Sequence, residues 1–218
     1  MRAREFKDLI FQQFANTATA FSSPKRLEII DVLEQGEKDV ETLSNQISAS
    51  FANTSRHLQI LKNARLVESR RDGVRIYYRL ADDKVFNCWK GLQLLAENRV
   101  AEIREVLKDF LSERDAMNAM SKKELWSHLQ SNDVIVLDVR PEEEFVSGHI
   151  PGAISIPLSE LRERLNEIPH DHEVVAYCRG PYCVLSPEAI KILHEEGYDA
   201  SRLEEGLPEW RKAGFLVE

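Results

Sequence analysis

The stretch Val174-Val175-Ala176-Tyr177-Cys178-Arg179-Gly180-Pro181-Tyr182-Cys183 decides how the second half of this chain is read. An apolar run ends at a cysteine, a tight loop follows, and Val184, Ala189, Ile190 and Leu193 then recur at helical spacing. A strand feeding a loop feeding a helix aims backbone N–H groups and the positive helix end at the strand's tip. A thiol there loses its proton readily, so the loop reads as a seat for a reactive thiolate. Working outward, Val134-Ile135-Val136-Leu137-Asp138-Val139-Arg140 is a second apolar run, the kind buried on both faces of a parallel sheet. Helices are predicted over 122–130, 158–166 and 184–196. Such alternation implies an α/β layer structure whose chemistry sits at the carboxyl ends of the strands, where Asp138, Arg140 and Cys178 fall.

The first hundred residues have another rhythm. Phe6, Ile10, Phe14 and Phe21 predict a helix over 5–21, and Ser22-Ser23-Pro24 restarts the chain with a cap followed by proline. Leu27, Ile30, Val32 and Leu33 mark a second helix that Gly36 ends; Val40, Leu43 and Ile47 mark a third. Ser50 caps a fourth, from about Phe51 to Ala64, with Leu58 and Leu61 facing inward. Two alternating strands then flank Asp72-Gly73, a hairpin signal. Helix–turn–helix followed by a basic-tipped hairpin is a winged helix, with the second helix in the major groove and the wing on the backbone.

Bulk properties bound both halves. The 218 residues favour two domains, and 43% hydrophobic with 30% charged residues is ordinary globular composition. No apolar run reaches membrane-spanning length and no signal peptide opens the chain, so a cytoplasmic protein is expected. Three cysteines do not make a disulfide framework. The net charge of −8 is unevenly spread: residues 1–80 carry 13 Lys and Arg against 10 Asp and Glu, and 81–218 carry 16 against 27. Within 50–80 the ratio is 7 to 2, the footprint of a phosphate-contacting face.

Residues 15–80 resemble the ArsR-type winged-helix repressors, above all in Thr54-Ser55-Arg56-His57-Leu58-Gln59-Ile60-Leu61-Lys62-Asn63-Ala64-Arg65-Leu66-Val67 and Arg75-Ile76-Tyr77-Tyr78-Arg79-Leu80. The candidate DNA-contacting residues are Asn53, Thr54, Ser55, Arg56, His57, Gln59 and Lys62 on the fourth helix, with Arg70, Arg71 and Arg75 on the wing. The resemblance implies a double-stranded DNA operator and a homodimer formed by the first and last helices. The last would run over 82–111, with Val85, Trp89, Leu92, Ala96, Val100, Ile103, Leu107 and Phe110 as its stripe. Where many relatives carry a metal-binding Cys-x-Cys, this chain has Asp39-Val40-Glu41. No metal site and no cofactor is read from the sequence. Cys88, beside Val85, Leu92 and Leu95, is expected to be buried and inert.

Residues 121–218 resemble a single rhodanese domain. The resemblance rests on Leu137-Asp138-Val139-Arg140-Pro141-Glu142-Glu143-Glu144-Phe145-Val146-Ser147-Gly148-His149-Ile150-Pro151-Gly152-Ala153, on Tyr177-Cys178-Arg179 and on Glu205-Gly206-Leu207-Pro208-Glu209-Trp210. It implies that the loop cysteine takes up sulfane sulfur as a persulfide. Phosphatase chemistry needs an arginine after Cys and five more residues, and Val184 stands there instead. The candidate site is Cys178, Arg179, Gly180, Tyr182 and Cys183, with Arg140 and Asp138. Arg140 and Arg179 are candidate partners of the thiolate; the competing role for each is an ion pair with Glu142 or Glu144. A second thiol at Cys183 is unusual for that position.

The expected architecture is thus two domains: a mainly-α winged helix-turn-helix over 1–111, a linker over 112–120 opened into a helix by the Ser121–Glu124 capping box, and an α/β three-layer rhodanese fold with a central parallel sheet over 121–218. The expected function is a DNA-binding regulator whose second domain senses or carries sulfane sulfur, or an oxidant, at Cys178. Its small partner is then a sulfur donor or oxidant. The rivals are a thiosulfate-type sulfurtransferase with an accessory DNA-binding domain, and metalloid sensing across Cys178 and Cys183.

Overall fold

Two compact units, Met1–Arg99 and Val100–Glu218, make up the chain in a computed structural model that describes residues 2–103, 105–106, 118–131 and 133–218. In the first unit α1 (Ala3–Phe21), α2 (Pro24–Leu33), α3 (Val40–Gln46) and α4 (Phe51–Asn63) precede the hairpin β2 (Val67–Asp72) and β3 (Arg75–Leu80), and α5 (Asp83–Arg99) follows. Pro24 opens α2, where its missing N–H costs nothing. Asp39 caps α3 by accepting from the Thr42 N–H at 2.8 Å, and Ser50 caps α4 by accepting from the Asn53 N–H at 3.3 Å. Gly73, at φ 59°, turns the hairpin, whose register runs from Val67↔Leu80 to Asp72↔Arg75. A two-residue strand, β1 (Lys38–Asp39), adds itself to β3, giving the order β1-β3-β2. Two residues are too few for any alternation to be visible in sequence.

Ile29, Ile30, Leu43, Ile47, Leu58, Leu61, Tyr78 and Phe86 form the buried core of this unit. Each fully buried aliphatic side chain is worth roughly 1.5–3 kcal/mol against exposure. The stripes on α1 and α5 are only partly used by that core. On α1 only Ala20 and Phe21 are buried, while Phe6, Leu9, Phe11 and Phe14 are more than half exposed. On α5 Val85, Phe86 and Gln93 are buried, whereas Leu92, Leu94 and Leu95 are exposed. Cys88 shares the uncovered side and is exposed, which corrects the expectation of a buried thiol. The helix expected over 82–111 also differs: α5 ends at Arg99 and Val100 is not helical. Asn98 donates its side-chain amide to the Leu94 carbonyl at 2.8 Å, a local bond of the sort that competes with the helical ladder. Leu107, Phe110 and residues 112–117 of the linker lie outside the described residues.

The second unit is a five-stranded parallel sheet of β4 (Ala119–Met120), β5 (Val134–Asp138), β6 (Ile154–Ser155), β7 (Glu173–Tyr177) and β8 (Ala200–Leu203), in the order β4-β8-β7-β5-β6. Its helices are α6 (Lys122–Ser131), α7 (Glu142–Val146), α8 (Leu185–Glu195) and α9 (Leu207–Lys212). Ser121 and Glu124 form the capping box at the head of α6. Ala119 and Met120, assigned to the linker from sequence, belong to the edge strand instead. Two buried clusters flank the sheet: one holds Leu137, Val174, Ala176, Ala189, Ile190 and Leu193, the other Val136, Val175, Tyr177, Leu207 and Trp210. β5 and β7 are therefore covered on both faces, as their uninterrupted apolar runs require. The helix expected over 158–166 is replaced by two 3₁₀ turns, Leu158–Glu160 and Leu165–Glu167. Leu158 with Leu161 and Leu165 with Ile168 stand three residues apart, the period of a 3₁₀ turn.

Candidate functional site

Cys178 follows the last residue of β7 and Ser186 lies in the first turn of α8, so the loop between them closes over the carboxyl end of the central strand. Cys178 is only 3% exposed. Its Sγ lies 3.2 Å from the Ser186 Oγ and 3.9 Å from the Gly180 carbonyl. The Cys183 N–H donates to that same carbonyl at 3.0 Å, turning the loop back on itself. Burial pulls the Cys178 thiol up, but hydrogen bonds from Cys183, the Ser186 hydroxyl and the Gly180 and Ser186 backbone outweigh it and bring it down to about 6. Cys183 moves the other way, its proton held by the hydrogen bond to Cys178 and then by burial. The two thiols thus titrate as a pair in which Cys178 ionises first.

The arginines divide. Arg179 donates to both oxygens of the fully buried Glu144, from Nε at 3.1 Å and Nη2 at 2.7 Å, and so pins the loop to α7. Arg140, read from sequence as a partner of the thiolate, is instead buried with Asp138. Its backbone N–H, Nε and Nη2 all bond that carboxylate, and Nη2 also donates to the Gly148 carbonyl at 2.9 Å. The Tyr177 hydroxyl donates to Asp138 as well and accepts from the Ile150 N–H at 3.2 Å. Asp138 and Arg140 therefore tie β5, β7 and the Gly148–Ile150 turn together; removing one would take from the other its bidentate partner inside the core. Tyr182 is partly exposed at the loop's tip.

Two residues that hold the loop escaped the sequence reading. Ser186 supplies a hydroxyl beside the thiol and could have been found as a hydroxylic residue in the first turn after the loop. Gly206 is the other. A Cβ there would stand 2.2 Å from the Arg179 carbonyl oxygen and 2.5 Å from the Gly180 nitrogen, so only glycine lets α9 sit this close beneath the loop.

In the first unit, Asn53, Arg56, Gln59 and Lys62 lie exposed along α4 and Ser55 is half-buried. Thr54 is not with them. It is fully buried, donating its hydroxyl back to the Ser50 carbonyl at 3.0 Å. His57 is half-buried, its Nδ1 enclosed with no hydrogen-bond partner among the described residues, and desolvation with nearby Arg26 lowers its pKa. Gln59 donates to the Tyr78 hydroxyl at 3.3 Å and Lys62 to the Ser69 hydroxyl at 2.6 Å. On the wing Arg70 pairs with Glu37 at 2.7 Å and Asp72 at 3.0 Å, and Arg75 with Asp39 at 2.9 Å. Arg71 donates to the Gly73 carbonyl and has no carboxylate in ion-pair range among the described residues.

Sequence comparison assigns both units. Residues 23–69 match the bacterial regulatory protein arsR family and residues 121–213 the rhodanese-like domain. An HTH-type transcriptional regulator of Mycobacterium tuberculosis, Rv0324, is 39% identical over 97% of this chain and 93% of its own length. The chain is an ArsR-family transcriptional regulator with a rhodanese-like domain. This regulator also aligns at 33% identity, over 40% of its length, with 80% of a sulfurtransferase of Allochromatium vinosum. Among solved structures, the homodimeric winged helix-turn-helix DNA-binding domain Mb0332 of Mycobacterium bovis is 34% identical, covering 46% of this chain and 91% of its own, with a TM-score of 0.42. In this ArsR-family regulator Asp39 is a helix cap and an anchor for the wing. Among the described residues no three His, Cys, Asp or Glu side chains converge as a metal site, and no helix is long and apolar enough to cross a membrane.

Proposed function

We propose that the regulator is a homodimeric repressor that releases its DNA operator when Cys178 takes up sulfane sulfur. The observation that carries the sulfur half of this reading is the Cys178 thiol, held 3.2 Å from the Ser186 hydroxyl at the carboxyl end of the central strand and brought down to about 6. At neutral pH such a sulfur is a thiolate, the form that attacks a sulfane donor. The uncovered apolar faces of α1 and α5 support the dimer, since a monomer has no use for so many exposed Phe and Leu side chains. Asn53, Ser55, Arg56 and Gln59 are the proposed readers of base edges, and Lys62 and Arg71 the proposed phosphate contacts.

The test is fluorescence anisotropy with DNA from upstream of the regulator's own gene, before and after tetrasulfide. Coupling of about 1–3 kcal/mol corresponds to a loss of affinity of about 5–150-fold for the wild type, with Cys178→Ser unmoved. Equal affinity of treated and untreated wild type sinks the sensor reading. A second reading, a sulfurtransferase that binds DNA, draws on the same thiolate and on the likeness to the Allochromatium protein. Thiocyanate formation from thiosulfate and cyanide, with DNA affinity blind to the state of Cys178, would favour it.

A further inference from the structure

We infer that Cys183 is a resolving thiol, which attacks a persulfide formed on Cys178, expels hydrosulfide and closes an intramolecular disulfide. The inference rests on the proposed loading of Cys178 with sulfane sulfur and adds what happens next. Three observations carry it. Cys183 packs against the buried cluster that contains Cys178, and the two side chains bias one another's ionisation, so the second sulfur lies within reach of the inner sulfur of any persulfide at Cys178. The loop is folded to keep them so: the Cys183 N–H bonds the Gly180 carbonyl at 3.0 Å, and the Cys178 Sγ lies 3.9 Å from that same oxygen. Third, Cys178 is 3% exposed and Cys183 is more accessible. A thiol on another protein reaches the buried sulfur poorly, whereas Cys183 sits on the same folded loop, packed against the cluster that holds Cys178. For two groups held in reacting geometry the effective concentration is on the order of 10⁵ M or more.

The chemistry balances without an outside oxidant. The Cys178 thiolate attacks a terminal sulfur of tetrasulfide, forming Cys178–S–S⁻ and leaving trisulfide. Cys183, giving up its proton, attacks the Cys178 Sγ; the Sγ–Sγ bond forms, the bond to the outer sulfur breaks, and hydrosulfide departs with the electron pair and takes the proton as pH dictates. The two thiols are oxidised and the sulfane sulfur is reduced. The two Sγ atoms must close to about 2.05 Å for the disulfide to form. Ser186, on the first turn of α8, already touches the sulfur that moves.

The full chain is treated anaerobically with tetrasulfide, alkylated, and weighed intact without reductant, with peptide mapping. The wild type is expected to lose two hydrogens and to yield a Cys178–Cys183 crosslinked peptide. Cys183→Ser and Cys183→Ala are each expected to retain one added sulfur on Cys178, a complete loss of the crosslink. A persulfide that persists on wild-type Cys178, or one mapped to Cys183, overturns the resolving role while leaving the loading of Cys178 standing. Failure of both folded Cys183 variants to gain sulfur, with folding checked by circular dichroism, overturns the loading and the inference with it.

Discussion

At the scale of single residues, the chemistry of Cys178 depends on what donates to its sulfur. The alkylation rate with iodoacetamide, read by mass spectrometry, is expected to hold level across neutral pH and to fall as pH drops through about 6. An ordinary thiol falls near 8.5. Ser186→Ala removes the hydroxyl 3.2 Å away. A hydrogen bond to a charged group is worth about 1.5–3 kcal/mol, so the midpoint should rise by roughly 1–2 pH units. Gly206→Ala must push apart the Arg179–Gly180 backbone and α9, at about 1–3 kcal/mol of overpacking; urea unfolding monitored at Trp210 would measure it. The sequence disclosed Cys178 because an apolar strand ending in a cysteine has a local signature. Gly206 and the burial of Arg140 have none. What makes Gly206 irreplaceable is backbone 26 residues or more away in sequence, and an arginine after a strand reads the same whether it faces an anion or the Asp138 carboxylate.

Elements were legible where one periodicity served one partner. α2, α4 and the β2–β3 hairpin follow their patterns closely, because their apolar faces all point into a single core. α5 did not, since its stripe faces two ways: Val85 and Phe86 pack inward while Leu92, Leu94 and Leu95 face outward, and Cys88 follows the second group. Thr54 illustrates the same limit on α4, where a hydroxyl that suits a base edge also suits the preceding turn. The exposed side of α5 gives a direct test. Leu95→Glu places a charge in the proposed dimer face and is expected to shift sedimentation from dimer to monomer and to weaken DNA binding at least tenfold, while leaving the unit folded. An unchanged sedimentation coefficient would place the dimer contact elsewhere.

On the scale of the whole molecule, the chain is acidic while residues 50–80 are basic, and the proposed operator contact falls on that basic stretch. DNA affinity is therefore expected to fall steeply with salt, each neutralised phosphate contributing roughly −0.9 to the log–log slope. Arg71→Ala should flatten that slope by about 1 per protomer. Arg75→Ala should act differently: its guanidinium pairs with Asp39, the cap of α3, so the variant is expected to lower the thermal midpoint of the first unit more than the salt slope. Anisotropy titrations at several salt concentrations, beside thermal melts, separate the two.

The strand order β4-β8-β7-β5-β6 has a consequence for synthesis on the ribosome. Among the described residues β4, the first strand of the second unit, bonds to β8 alone, one of the last elements made, and β7, paired with β5 on one side, takes β8 on the other. The nascent chain thus completes its winged helix long before the sheet around Cys178 can close. A polypeptide halted before Ala200 would carry a finished DNA-binding half joined to a sheet with open edges, the kind of surface chaperones and proteases recognise. Quality control of the regulator would accordingly act on its C-terminal half, removing chains whose winged helix is complete before the sheet around Cys178 is.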